Sequence, residues 1–249
     1  FFNKMYGFFL TEWMLAVYNL VFLSKNSSME YVVTGDGSKT LYNEQIGEHY
    51  HSKHGASQEA KHVFLKSGLE FSLAGERKDA ISILEIGFGT GLNFLLTADY
   101  CISEGICLDY CGIEAYPLAD EVIAHTGYDA YVGHAIWTNF KDSYHSALQE
   151  RLNIHPQVSL QIAHQKVLDF NIDKYFDIIY FDAFAAIHQP EMWTDETLAH
   201  VTGFLKTGGV FVTYAITGNL KRSMKALGFT NEKAPGAPGK REMLRAVKL

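Results

Sequence analysis

Three carboxylates and a run of glycines hold most of the chemistry this sequence offers. Glu85-x-Gly87-x-Gly89-x-Gly91 follows an apolar, β-branched stretch at 81–86 and opens at once into an apolar segment from Leu92. Glycines placed this way let the chain turn sharply, let a ligand reach the backbone, or let a helix pack close to the preceding strand. Their spacing is tighter than the G-x-G-x-x-G of dinucleotide folds, and an acidic residue stands two positions before the first glycine. That pattern suits S-adenosyl-L-methionine better than a dinucleotide, because no pyrophosphate has to be cradled at the helix N-terminus. A tight strand–helix turn with no ligand is the plainer reading of the same glycines. Glu114 ends a second apolar stretch, LDYCGIE at 108–114, 23 residues after Gly91. An acidic side chain at that place in a nucleotide-binding α/β fold accepts hydrogen bonds from ribose hydroxyls, the alternative being a solvated strand end. Asp182 closes a third stretch, YFDIIYFD at 175–182. It is expected at the same sheet edge, either contacting substrate or capping a helix.

Alternating strand and helix patterns must position these groups. Strands are predicted at 81–86, 108–114, 158–163, 175–182, 209–215 and 242–247. Helices are predicted at 60–71, 92–102, 118–125, 135–153, 191–205 and 221–227. Such βα alternation means an α/β fold, a doubly wound and mostly parallel sheet. Residues 30–43, EYVVTGDGSKTLYN, read as a hairpin with a Gly-Asp-Gly turn. The segment 183–193, AFAAIHQPEMW, is too apolar and aromatic for a simple surface loop.

At 249 residues the chain has room for one large α/β domain with a modest appendage. We divide it into an apolar N-terminal extension at 1–28, a hairpin and helix appendage at 29–80, and the nucleotide-binding domain at 81–249. Residues 5–23 are nearly continuous in apolar and aromatic side chains, close to the minimum for crossing a bilayer. Glu12 near the middle would be costly in lipid, and no A-x-A cleavage pattern follows. We therefore expect Met29 to be the start and 1–28 to be upstream read-through or a loosely docked helix, with a membrane anchor the less favoured reading. Three cysteines, Cys101, Cys107 and Cys111, without a C-x-x-C pair suggest core packing in a reducing cytoplasm rather than disulfides or zinc. His49, His51, His54 and His62 lack the spacing of a helical metal pair, so a partly exposed loop is expected there and no metal site. The net charge of −7 argues against a general nucleic-acid binder, yet residues 219–249 hold eight Lys/Arg against two Glu. A basic C-terminal edge on an acidic body could hold a polyanion, or be a solvated face.

Four stretches carry a more specific likeness: LEIGFGTGLNFL at 84–95, IEAYPL at 113–118, YFDAFAAIHQPEMWT at 180–194 and GAPGKREML at 236–244. On these the chain resembles the Rossmann-like class I S-adenosyl-L-methionine-dependent methyltransferases. More narrowly it resembles the methyltransferase module of the MnmC tRNA wobble-uridine modification proteins, over roughly residues 40–247. The D-x-F-x(5)-P-E-M-W-T block is not shared by methyltransferases at large. The resemblance implies a seven-stranded, mostly parallel sheet with an N-terminal hairpin extension. It also implies transfer of a methyl group to the amine of 5-aminomethyl-(2-thio)uridine in the tRNA anticodon loop. Glu85, Gly87, Phe88, Gly89, Gly91 and Asn93 would then form the cofactor loop, with Glu114 on the ribose and Ala115 beside it. Asp182 would face the acceptor amine, Phe184 or Trp193 would stack on the flipped base, and Lys240 and Arg241 would help hold the RNA with Lys221, Arg222, Lys225 and Arg245. Neither DNA nor a membrane is expected as a partner. Two positions depart from the family pattern. Asp182-Ala183-Phe184-Ala185-Ala186 replaces D-G-F-[AS]-P, and Ala163-His164 stands where Gly-Asp is common at the adenine end. The flavin-dependent oxidase module of the two-domain members is not in this sequence, so an already exposed aminomethyl group is the expected acceptor. A methyltransferase of a small amine or hydroxyl compound, and a non-catalytic cofactor-binding scaffold, are the competing readings.

Overall fold

The computed structural model describes residues 29–75 and 78–249; the 1–28 extension lies outside the described residues. Among the described residues eleven strands are formed: β1 Met29–Val33, β2 Lys39–Asn43, β3 Glu48–His49, β4 Ala80–Ile86, β5 Cys107–Glu114, β6 Leu152–His155, β7 Val158–His164, β8 Phe176–Phe181, β9 Leu205–Thr213, β10 Phe229–Pro235 and β11 Glu242–Lys248. A continuous helix, α1, begins as Ala56–Ala60, widens to π pitch over Lys61–Glu70 and ends at Phe71–Leu73. The other α-helices are α2 Leu92–Glu104, α3 Asp120–Ala124, α4 His134–Ala147, α5 Asp195–Gly203 and α6 Gly218–Ala226.

The large sheet runs β10-β11-β9-β8-β4-β5-β7-β6. Its five central strands are parallel, and β11, β10 and β6 are antiparallel additions at the two edges. The sheet therefore has one strand beyond the seven expected. That strand is β6, an edge segment within residues 135–153 and just past it, where one long helix was predicted; α4 stops at Ala147. The polar strand β10 also escaped the apolar pattern, because as an edge strand it needs few buried side chains. The hairpin at 30–43 forms as β1 and β2, and β3 extends it to a small three-stranded antiparallel sheet.

Both faces of the large sheet are covered, which explains the unbroken apolar runs of its central strands. Along β4, Ile81 and Ile83 join a core with Phe64 of α1, Phe94 of α2 and Phe140 of α4. Leu84 and Ile86 point the other way, toward Leu198 of α5 and Met224 of α6. The same alternation turns Glu85 toward the α2 face. Cys101 and Cys111 are buried as expected, but Cys107 is exposed at the start of β5.

An ion-pair cluster fastens the amino ends of the strands. Ser82 donates to Asp177 Oδ2 from its backbone N–H at 2.9 Å and its hydroxyl at 2.7 Å, and Lys206 and Lys78 lie 3.0 and 3.3 Å from the carboxylate. Burial alone would raise this group, but the Ser82 bonds and the two ammoniums outweigh it and hold the carboxyl at about 2. Because the folded value lies below the ordinary one, the stabilisation is present above about pH 4 and is lost as the pH falls toward 2. Asp177→Asn is thus expected to lower stability at pH 7 by about 2 kcal/mol, with the gap from wild type shrinking at pH ~3. Urea unfolding at the two pH values measures it.

Candidate functional site

Parallel strands β5 and β8 lie on opposite sides of β4, so the chain reverses its direction of winding there. Crevices outside the carboxyl ends of strands collect ligands at such a reversal. Here the crevice is a cavity of about 900 Å³.

The glycine loop forms its floor. The N–H groups of Gly87 and Phe88 donate to Ile113 O at 3.0 and 3.1 Å, folding the loop over the end of β5, and Asp182 N donates to Ile86 O at 2.9 Å. Gly87 sits at φ +83°, and a Cβ there would lie 2.5 Å from Asp182 O, so only glycine lets loop and strand end meet. Gly89, at φ +53°, faces Tyr50. Its N–H donates to Glu114 Oε2 at 2.9 Å, while Tyr116 N–H donates to Oε1 at 2.9 Å. Burial raises the Glu114 carboxyl from its ordinary value, and these backbone bonds only partly offset it.

Asp182 stands opposite. It is half-buried, and its Oδ2 accepts from Asn93 Nδ2 at 2.8 Å. Burial and the nearby Glu59 and Glu48 carboxylates push it up, the Asn93 bond and Lys240 pull it down, and it settles at about 7. An ordinary aspartate is far too acidic to exchange protons with an amine; this one is not.

Gly87, Phe88, Gly89, Glu114, Ala115, Asp182 and Phe184 all line the cavity, and so does Lys240, which was expected on the RNA-holding edge. The ring of Phe88 itself is buried against Phe94 and Phe140. Five of the predicted residues are placed elsewhere. Gly91 packs on Phe140 behind the loop. Glu85 is 0% exposed, its oxygens taken by Asn93 Nδ2 at 2.8 Å and Tyr110 OH at 2.9 Å. Trp193 lies under the 183–193 loop, donating Nε1–H to Phe184 O at 2.8 Å with its ring edge-on to Phe181. Arg241 is exposed and lies off the cavity wall. Asn93 is also off the wall, holding Asp182 from behind.

Residues that sequence reading passed over close the cavity from the appendage. Glu48 of β3 accepts from Ala185 N–H at 2.8 Å, and the Tyr50 ring meets Phe184 edge-on at 5.1 Å. Glu59 of α1 accepts from Ser52 N–H at 2.8 Å and from Lys240 Nζ at 2.7 Å. Lys240 also lies 3.9 Å over the ring of Tyr214, whose hydroxyl donates to Ala183 O. The histidine-rich segment is partly exposed as expected, and its His49 and His51 belong to this wall. His51 sits 3.0 Å from Thr90 Oγ1, and burial pushes its imidazole down to about 4, so it is neutral at pH 7. Among the described residues no group of three His, Cys, Asp or Glu is arranged to hold a metal ion.

Half of the predicted basic edge is engaged within the protein, Lys240 with Glu59 among it. Arg245 pairs with Glu232 and stacks on Phe71, Lys233 pairs with Glu242, and Lys248 donates to the Thr202 and Leu205 carbonyls. Arg222, Lys225 and Arg241 remain exposed. The cavity wall carries four carboxylates, from Glu48, Glu59, Glu114 and Asp182, against the two ammoniums of Lys53 and Lys240. A wall with that balance favours a cationic ligand. S-adenosyl-L-methionine, a sulfonium with a ribose, fits these groups: a side-chain-free floor at Gly87 and Gly89, a carboxylate at Glu114 and a negative interior.

Residues 132–249 match the model of an S-adenosyl-L-methionine-dependent methyltransferase family. The chain is 30% identical over 221 residues to the tRNA 5-methylaminomethyl-2-thiouridine biosynthesis bifunctional protein MnmC of Magnetococcus marinus, covering 84% of this chain and 32% of that protein. It is 31% identical to the MnmC of Leptospira interrogans, covering 86% of this chain and 34% of that protein. The chain thus spans about a third of the length of the curated relatives it matches. The crystal structure of MnmC2 from Aquifex aeolicus has the same fold, with a TM-score of 0.68 at 22% identity, covering 88% of this chain and 70% of that one. Among the described residues no helix is long and apolar enough to cross a membrane. Residues 132–249 thus match that family, and the described chain shares the fold of MnmC2 and carries a glycine-floored cavity at the carboxyl edge of its sheet.

Proposed function

We propose that this chain methylates the primary amine of 5-aminomethyl-(2-thio)uridine at the wobble position of tRNA, drawing the methyl group from S-adenosyl-L-methionine. One observation carries the reading: a carboxylate at about 7, Asp182, faces the same cavity as the glycine loop. The name of the MnmC relatives supports the choice of acceptor.

Gly87, Gly89, Glu114 and Ala115 would hold the cofactor, Glu114 through the ribose hydroxyls. When bound, the cofactor supplies an electrophilic methyl group on a sulfonium, and the chain's task is to present a neutral amine in line with it. A primary alkyl amine arrives protonated. Asp182, ionised, pairs with the ammonium and accepts one proton from it, and the freed lone pair faces the methyl donor. Asp182 then holds that proton until it leaves to solvent, while Glu48 and Glu59 favour the positive charge that returns to nitrogen after transfer. Phe184 and Tyr50 offer ring faces and edges to a base turned out of the anticodon stack. Trp193 supports Phe184 from below and does not stack itself. The exposed Arg222, Lys225 and Arg241 would contact RNA phosphates, with affinity falling as salt rises. Because Lys233, Lys240 and Arg245 of the basic edge are paired with carboxylates of the protein itself, a small-molecule amine is the second reading.

The deciding assay uses the full chain, radiolabelled S-adenosyl-L-methionine and bulk tRNA carrying unmethylated 5-aminomethyl-uridine, followed by nucleoside analysis. Label in 5-methylaminomethyl-uridine is the expected outcome. No label in tRNA, with cofactor binding intact, shifts the acceptor to a small amine.

A further inference from the structure

Asn93 occupies an unusual place on the first turn of α2. It is 3% exposed, and its Nδ2 lies 2.8 Å from Asp182 Oδ2 and 2.8 Å from Glu85 Oε1, so both amide hydrogens go to carboxyl groups on adjacent strands. Its Oδ1 is buried without a partner. Turning the amide over would set that oxygen against two carboxyl groups, so the hydrogen-bond network assigns the orientation.

We propose that Asn93 is the positioning residue for Asp182, its amide wedged between the two carboxyl groups to fix the one that faces the acceptor and to stabilise its charged form. This rests on the reading of Asp182 as the acceptor-facing group. It also moves Asn93 out of the set of cofactor contacts.

The surrounding charges fit this division of roles. Burial, with Asp182 nearby, raises the Glu85 carboxyl well above its ordinary value, and its two oxygens accept from Asn93 Nδ2 and Tyr110 OH. Asp182 is faced by Glu59 from α1, Glu48 from β3, Lys240 from the loop before β11, Glu85 from β4, Tyr110 from β5 and Tyr214 after β9. Glu59 and Glu48 oppose its ionisation; the Asn93 bond and Lys240 favour it. Both tyrosines are raised and stay neutral. Without the Asn93 bond, the acidic neighbours would hold more of Asp182 protonated at pH 7, and a protonated Asp182 neither pairs with an ammonium nor takes its proton.

The first test needs no variant. In the full-length wild-type chain labelled with 15N-Asn and 13C-Asp, the Asn93 side-chain amide resonance should titrate between about pH 5.5 and 8.5 with the same midpoint as the Asp182 carboxyl. An Asn93 amide that stays still across this range overturns the proposal. Asn93→Ser, with Asn93→Thr as the variant closer in volume, should raise the Asp182 midpoint by about one pH unit. Near pH 7 that lowers kcat/KM about fivefold, and the loss is recovered by about pH 9. Affinity for S-adenosylhomocysteine, measured by calorimetry, should be unchanged. A loss equal at every pH, or one that appears as weaker cofactor affinity, would mean a structural or cofactor-binding role instead. Asp182→Asn in the same assay separates the two ideas: if it remains active, the acceptor reading fails, whereas the amide titration still tests whether Asn93 and Asp182 are coupled.

Discussion

Asp182→Asn is expected to lower turnover about a thousandfold while leaving affinity for S-adenosylhomocysteine within a few-fold of wild type. The substitution keeps the shape of the side chain and an oxygen for the Asn93 amide, so the loop at 183–193 and the Gly87 contact to the Asp182 carbonyl should survive. What disappears is the negative charge that pairs with an ammonium and the basic oxygen that takes its proton. Glu48 and Glu59 do not substitute for it, because Ala185 N–H, Ser52 N–H and Lys240 already occupy them. Gly89 and Glu114, the proposed cofactor contacts, lie on neighbouring strand ends and bond to each other rather than to Asp182. Single-turnover methylation and calorimetry measure the two effects separately. Near-normal turnover in this variant removes Asp182 from the chemistry.

The second large effect is expected at the floor of the cavity. Gly89→Val should weaken cofactor binding about a hundredfold or more and cost roughly 1–2 kcal/mol of stability. At φ +53° a β-branched side chain is strained, and its Cβ would already stand 3.0 Å from Tyr50 Cδ1. Relief of either strain moves the Gly89 N–H away from Glu114, whose carboxylate is then free to rotate off the ribose position. Circular dichroism confirms that the fold persists, and calorimetry with S-adenosylhomocysteine gives the affinity. Binding at the wild-type level would mean that the glycines serve only the turn.

Local patterns were the readable part of this chain. The strand-to-glycine-to-helix run at 81–95, the acidic residue ending β5 and the aspartate ending β8 each depend on neighbours within a few positions, so residue type and spacing reveal them. Parallel β strands buried on both faces write themselves as apolar runs, and that was enough for the α/β fold and for placing Glu114 and Asp182 at one sheet edge. The edge strands β6 and β10 were not readable in this way, because an edge needs little burial and leaves little apolar signal.

Tertiary structure decided what the same residues do. Glu85 and Gly87 are two positions apart, yet Glu85, still within β4, points beneath α2 while Gly87, past the strand end, reaches the cavity floor. Trp193 and Phe184 share a loop, but only Phe184 faces the ligand space. Lys240 belongs to a stretch that reads as a basic surface and instead pairs with Glu59, from a helix whose role at the site no local pattern announces. The sequence alone determined the fold, the cofactor class and the edge at which the chemistry collects. The raised carboxyls of Asp182 and Glu85 and the carboxylates gathered on the cavity wall depend on burial and on charges brought together from distant parts of the chain, and only the folded structure sets those.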